Sequence, residues 1–330
     1  MSKKNVVVVG GGTGTHTVLR GLKRFKNLID ISAVVTMADS GGSTGRLRDE
    51  FGYLPVGDVR MALAALASDG VGDDSLLREL FLYRFEKGDS LSGHNIGNLL
   101  LVALTDILGS EEEAIKSASK LLKISGTVLP VTSDKIDLVA EYSDGTKVVG
   151  EHEIDEPTSD VSNCRIENLY THPSATVTPS AKLALEEADL IILGPGDVFT
   201  SVLANCVVDG VPEAIIKSKA KIVYVCNLMT KLGQTDNMKM SDHVSEIFKY
   251  VGKSPDVVLV NSAVLPKELL KTYAKDNEWP IEIDEIDDLE IISKDFLASE
   301  KVKTAKGDVL KRSLIRHDSD KLANQIMKLL

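Results

Sequence analysis

The chain has 330 residues, with 38 Lys and Arg against 49 Asp and Glu, and a formal charge of −11 with histidine neutral. That balance excludes a general nucleic-acid binder, which needs a basic face to neutralise phosphates. With 43% hydrophobic and 26% charged residues, the composition is that of a soluble globular protein able to build a substantial core.

The cysteines Cys164, Cys206 and Cys226 are odd in number, widely spaced and free of any C-x-x-C pattern. This argues against a disulfide framework or a cysteine zinc site and points to a reducing compartment, the cytoplasm. The first apolar run, residues 6–9, is much shorter than a signal-peptide core. The longest ones, 61–67 and 99–104, fall well short of the roughly 18 residues a membrane span takes. No membrane insertion and no nucleic-acid partner are expected.

In chain order, β-branched runs at residues 6–9, 31–36, 190–193, 222–226 and 257–260 each lead into glycine or small polar residues and then a helical period. Uninterrupted apolar strands alternating with helices predict a parallel sheet buried on both faces. The helices are expected near 18–25, 58–67, 75–85, 95–108, 111–122, 180–187, 213–217, 241–251, 267–275 and 320–330. Residues 127–154 change to period two. There Leu138-Val139-Ala140-Glu141-Tyr142, the turn Ser143-Asp144-Gly145 and residues 146–149 predict a hairpin. The chain therefore reads as an α/β nucleotide-binding core, residues 1–125 and 179–330, with a β-rich insertion at 126–178 in which 155–161 is a loop. The acid-rich stretch 282–290 and the lysine-rich stretch 301–311 read as solvated faces.

Gly10-Gly11-Gly12-Thr13-Gly14 stands where the first strand ends and a helix begins. Glycines there let backbone N–H groups approach an anion, and the helix N-terminus adds a partial positive charge. The run matches neither G-x-G-x-x-G nor G-x-x-x-x-G-K-[ST]. After the second strand comes Ala38-Asp39-Ser40-Gly41-Gly42-Ser43-Thr44-Gly45-Arg46, with Arg48 just beyond. Its donors suit a phosphate or pyrophosphate, with Asp39 placed to hold a ribose hydroxyl or a metal ion. The loop also contains G-x-S-x-G at 41–45, the string of a nucleophile elbow, with His317 and Asp318 later in order. It carries more glycines and hydroxyls than an elbow needs.

Further on, Gly57-Asp58-Val59-Arg60 opens a helix that Asp58 is suited to cap. Gly93-His94-Asn95-Ile96-Gly97-Asn98 opens another, where His94, Asn95 and Asn98 offer uncharged donors and acceptors for a base, sugar or acyl group. Gly194-Pro195-Gly196-Asp197 with Thr200 and Ser201, then Asn227-Leu228-Met229-Thr230-Lys231, then Asn261-Ser262 follow the remaining strands. Five such strand ends on one edge of an open sheet predict an extended nucleotide-type cleft. His16, His152, His172 and His243 lack metal-ligand spacing, so no metal site is assigned.

Taken in order, the glycine run 10–14, the loop 38–46, Gly57-Asp58-Val59-Arg60, Gly93 to Asn98, Gly194-Pro195-Gly196 with Thr200-Ser201, Asn227-Leu228-Met229-Thr230, and Arg316-His317-Asp318 with Lys321-Leu322-Ala323 form a specific set. From about residue 5 onward the chain resembles the CofD-like family, and within it the YvcK type known as gluconeogenesis factors. The resemblance implies a Rossmann-like three-layer α/β/α fold, usually as a homodimer, and one of two activities. CofD moves a phospholactyl group from a nucleotide-activated donor to a deazaflavin precursor with magnesium. YvcK-type proteins bind UDP-sugars such as UDP-N-acetylglucosamine and support cell shape and wall synthesis on gluconeogenic carbon, with no established reaction.

The form of the Gly194-Pro195-Gly196 loop favours the YvcK side, since the transferases usually carry Gly-Pro-Ser-Asn-Pro there. By position, Thr13, Asp39, Ser40, Gly41, Gly42, Ser43, Asn98, Gly196, Thr200 and Asn227 would line the nucleotide and phosphate site, and Arg316 would contact sugar or diphosphate. The strand-end loops add Gly11, Gly12, Gly14, Arg60, His94, Asn95, Gly194 and Ser201. In the transferase alternative Asp39 and Asp58 are the catalytic candidates, holding magnesium, the one cofactor in view, on the donor diphosphate. The chain departs from the family in having Thr15-His16 where Leu-Ser is commoner, and Gln234 where Glu is common, which removes a carboxylate near the ligand.

Overall fold

A computed structural model describes residues 2–69, 73–157, 161, 164–299 and 313–330. The first part runs β1 (Lys4–Gly10), α1 (Gly12–Leu22), β2 (Ile29–Val35), α2 (Gly42–Phe51), α3 (Gly57–Leu66), α4 (Asp73–Leu82), α5 (Ile96–Leu108), α6 (Glu111–Leu121) and β3 (Thr127–Pro130). Next come β4 (Asp137–Tyr142), β5 (Lys147–Val149), α7 (Glu151–Asp155) and β6 (Ile166–His172). The chain continues with α8 (Pro179–Glu186), β7 (Leu190–Leu193), a π-helical turn (Val198–Leu203), α9 (Ala204–Cys206), α10 (Val211–Lys217) and β8 (Lys221–Val225). It closes with α11 (Met240–Val251), β9 (Val257–Asn261), α12 (Lys267–Lys275), β10 (Glu290–Lys294) and α13 (Ser319–Ile326).

Seven strands form one parallel sheet in the order β10-β9-β8-β7-β1-β2-β3, flanked by helices in a Rossmann-like three-layer α/β/α arrangement. Val6, Val7, Val8 and Val9 in β1 are at most 1% exposed, and the four residues of β7 are fully buried, as a central parallel strand covered on both faces requires. β1 lies between β2 and β7, so the order reverses there and a crevice opens at the carboxyl ends of the strands. A second sheet, β5-β4-β6, is antiparallel. Among the described residues no helix is long and apolar enough to cross a membrane.

The structure departs from the sequence reading in the glycine-rich and short elements. The loop expected at 38–46 is a loop only to Gly41, because helix α2 starts at Gly42. Similarly, α1 starts at Gly12, six residues before its apolar period becomes visible. Glycine carries no helical signal, so helices opening on it are hidden from propensity and pattern. Thr127–Pro130, expected in the insertion, pairs with β2 in the main sheet before the chain leaves it. The acid-rich stretch runs into an unforeseen edge strand, β10, paired with β9. Asp155, expected at the start of a loop, ends α7. Residues 158–160 of that loop and the lysine-rich stretch 301–311 lie outside the described residues.

Candidate functional site

The loops after β1, β2, β7 and β8 meet at the crevice and line a cleft of about 480 Å³, of a size suited to a small ligand. Gly11, Gly12, Thr13 and Gly14 form its floor, where the first-turn amides of α1 have no partner within the helix. A Cβ on Gly14 would collide with the carbonyl of Pro195, so glycine is what lets the start of α1 approach the β7 loop. The Gly12 amide donates to Asp58 Oδ1 at 2.8 Å. Asp58 thus binds the neighbouring helix α1 rather than capping its own helix, α3, which begins at Gly57 with Val56 as N-cap.

Asp39 accepts from the Gly41 amide at 3.0 Å and lies against Gly57, where any side chain would strike its carboxylate. The Ser40 amide donates to Glu151 Oε2 at 3.3 Å, and Ser40 Oγ accepts from the His152 amide at 2.9 Å. On the far side, Gly196 and Ser201 line the cleft, and Asn227 Nδ2 donates to the Gly196 carbonyl at 2.9 Å. Asn227 is backed by Tyr224, whose hydroxyl donates to Asn227 Oδ1 at 3.4 Å and pairs with His243 Nδ1 at 2.9 Å. The remaining wall carries Met229, Tyr273, Ile315, Arg316 and His317. The Tyr273 hydroxyl accepts from the Leu314 and Ile315 amides, which fixes this segment against α12.

Of the expected site residues, Gly11, Gly12, Thr13, Gly14, Asp39, Gly41, Asp58, Gly196, Ser201, Asn227 and Arg316 line the cleft. Ser40 lies beside it in the contacts to Glu151 and His152, while Gly42 opens α2, Gly194 ends β7's carboxyl edge and Thr200 is buried in the π-helical turn. Ser43, Arg60, His94, Asn95 and Asn98 are buried and do not line the cleft, and all but Asn95 join in one polar network. Ser43 Oγ is 3.0 Å from His94 Nδ1, Asn98 Nδ2 donates to Ser43 Oγ at 3.2 Å, and Arg60 Nε donates to Asn98 Oδ1 at 2.8 Å. Asn95 caps α5 by accepting from the Gly97 amide. Asn261, at the fifth strand end, accepts from the Phe296 amide, which ties the end of β9 to the segment after β10, and it does not line the cleft. Ser43 of the G-x-S-x-G string therefore sits buried in the first turn of α2, bonded to a buried histidine, and not at the tip of an exposed elbow.

Several acids in the cleft went unnoticed in the sequence. Glu151 and Asp155 come from α7 of the insertion, and Asp276 and Glu278 from beyond α12. None of them follows a strand of the main sheet, which was the signal that found the others. Burial, then the charges of Asp39, Asp155 and Asp58, holds the Glu151 carboxyl well above the usual carboxylate range. Asp197 is pushed up to about 7 by burial and by Asp155, with Lys231 opposing. Lys231, which burial alone would push down, is held above the ordinary lysine value by Asp155, Asp197 and Glu278. His317 is lowered to about 4 by burial and is neutral at ordinary pH.

Among the described residues no group of three or more His, Cys, Asp or Glu side chains converges to cage a metal ion. Magnesium needs no such cage, because it takes one or two carboxylates and completes its shell with phosphate oxygens and water. The carboxylates around Glu151 fit that demand, with Asp39 and Asp58 the nearest to the amide floor.

The chain thus has a parallel three-layer fold with a glycine-floored cleft at its switch point. The family model described as 2-phospho-L-lactate transferase CofD matches residues 6–297, and the chain belongs to the CofD family. Relatives called gluconeogenesis factor include one from Bacillus subtilis, 39% identical over 99% of this chain and 98% of its own length. Another, from Halalkalibacterium halodurans, is 43% identical over 86% of each. A crystal structure of a UPF0052 family protein from Bacillus halodurans superposes with a TM-score of 0.88 at 38% identity, covering 99% of both chains.

Proposed function

We propose that the cleft binds a nucleotide-activated sugar of the UDP-sugar type, and that the chain acts as a regulatory factor through that ligand. The observation that carries this reading is the meeting of two chemistries in one cleft. The amide floor at Gly12, Thr13 and Gly14, with Arg316 opposite, suits a diphosphate. The carboxylates of Asp39, Glu151 and Asp155 suit sugar hydroxyls, which donate hydrogen bonds to them. A bare polyphosphate would be repelled by these acids, whereas a hydroxyl-rich diphosphate ester with magnesium would not.

The relatives' name supports a role in growth on gluconeogenic carbon, with the effect on cell shape and wall synthesis that the resemblance implies. A homodimer is part of the reading, supported by the exposed Leu76, Leu80 and Tyr83 along one side of α4 and its end. The family description favours a second reading, transfer of a phospholactyl-type group with Asp39 and Asp58 holding magnesium on the donor.

Thermal stability with millimolar UDP-N-acetylglucosamine, against GDP and NAD, each with and without magnesium, separates the two. A rise specific to the UDP-sugar, with the ligand recovered intact, supports the regulator. A rise only with GDP and magnesium, and product formed from a nucleotide-linked phospholactate, supports the transferase.

A further inference from the structure

Helix α7 is five residues long, yet it makes contacts on both sides of the cleft. At its start, Glu151 Oε2 accepts from the Ser40 amide at 3.3 Å while the His152 amide donates to Ser40 Oγ at 2.9 Å. At its end, Asp155 Oδ2 is 3.4 Å from Lys231 Nζ, and Asp155 Oδ1 accepts from Gln234 Nε2 at 3.1 Å. Just beyond, Pro157 packs on Gly233, whose φ of +75° and absent side chain leave room for the ring. Ser40 belongs to the loop after β2 and Lys231 to the loop after β8, strands on opposite sides of β1 and β7. The helix therefore bridges the two halves of the sheet's carboxyl edge.

These ties are few and polar, and they hold together groups of like charge. Glu151 faces Asp39 and Asp58, and Asp155 faces Asp197. Between these ends Ile154 is fully buried in the core, so the middle of the helix is anchored and only the polar contacts at its two ends are free to open. A ligand that supplies hydroxyl donors, or a cation carried with its diphosphate, removes the repulsion and favours the bridged state.

We infer that α7 is a strap that closes over the bound ligand, with Glu151 and Asp155 reaching from the three-stranded insertion as its ligand-facing carboxylates. The inference rests on the nucleotide-sugar reading and adds what the insertion is for: it covers the cleft and contributes specificity for ligands with hydroxyl donors. Ligand access requires the strap's contacts to open, and release is slow while they are made.

The strap can be locked. A Cβ built on Gly233 lies 3.2 Å from Pro157 Cβ, a few tenths of an ångström short of the spacing a disulfide spans, so a small shift at either residue admits the cross-link. With Pro157→Cys and Gly233→Cys in the full chain, the cross-link being verified by mass, association and dissociation of UDP-N-acetylglucosamine are followed in the oxidised and reduced forms. The expected result is that oxidation slows both by about tenfold or more, and that reduction restores both. Equal rates in the two forms overturn the strap while leaving the nucleotide-sugar reading intact. No binding to the reduced or the unaltered protein overturns both.

Hydrogen exchange on the unaltered protein covers the case in which the double variant does not fold. Saturating UDP-N-acetylglucosamine should slow exchange of the His152 amide by about tenfold, and unchanged exchange in the presence of bound ligand overturns the inference.

Discussion

Asp58, on α3, accepts a hydrogen bond from the amide of Gly12, the first residue of α1, at 2.8 Å. One donor of the helix terminus is thus satisfied from a neighbouring helix, and the remaining first-turn amides line the cleft floor. Removing this tie by Asp58→Ala should destabilise the protein by about 1 kcal/mol, as loss of a helix cap does. Asp58→Asn keeps an acceptor oxygen and should lose less. Denaturant titration of both variants checks the order, and equal losses would mean that the charge alone matters.

Gly14→Ala tests the close approach of α1 to the β7 loop. In an ordinary helix interior this change gains about 1 kcal/mol through propensity. Here the new methyl would overlap the Pro195 carbonyl, so the expected sign is opposite, a loss of roughly 1–3 kcal/mol. A rise in melting temperature would show that the two loops are not in contact.

Ser43→Ala separates a ligand contact from a structural one. His94 Nδ1 and Asn98 Nδ2 both lose their partner while buried, so stability should fall by about 1–3 kcal/mol. Affinity for UDP-N-acetylglucosamine, measured well below the variant's melting temperature, should be unchanged. A large loss of affinity in a variant of near-normal stability contradicts the placement of Ser43 outside the cleft lining.

Asp197 gives the protein a defined pH dependence. Its carboxyl is raised to about 7 by burial and by Asp155, whereas in the unfolded chain it titrates near 4. Its contribution to stability is therefore fully present below about pH 4 and is lost as the pH rises through 7. Asp197→Asn removes that loss, so the melting temperature of the variant relative to the parent should increase from pH 4 to pH 8. Taking the difference cancels the buried His16, His243 and His317, each lowered to about 4 chiefly by burial. Those histidines act in the other direction, their contributions being lost as the pH falls from about 6.5 toward 4. A difference that is flat with pH contradicts the raised Asp197 carboxyl.

The core strands were legible because a buried parallel strand has to be apolar on both faces, as residues 6–9 and 190–193 are. The strand-end rule then found the cleft's floor at Gly11 to Gly14 and its far wall at Gly196 and Asn227. It does not separate residues that line the cleft from residues that bond to each other, and Ser43, His94 and Asn98, expected in the site, bond to one another inside the protein. Glu151 and Asp155 stayed hidden for a different reason. They lie in the β-rich insertion, far in sequence from the loops they meet, and only the tertiary fold brings Glu151 to Ser40 and Asp155 to Lys231.

The measurement closest to the centre of this account is equilibrium binding of UDP-N-acetylglucosamine to the unaltered protein and to Arg316→Ala, with magnesium present. At about 100 times its dissociation constant the ligand should stabilise the unaltered protein by about 2.7 kcal/mol, a rise of several degrees in melting temperature. Arg316→Ala should remain folded and lose that rise. A protein whose stability does not respond to the UDP-sugar, or an Arg316→Ala variant that responds equally, would contradict the assignment of the cleft.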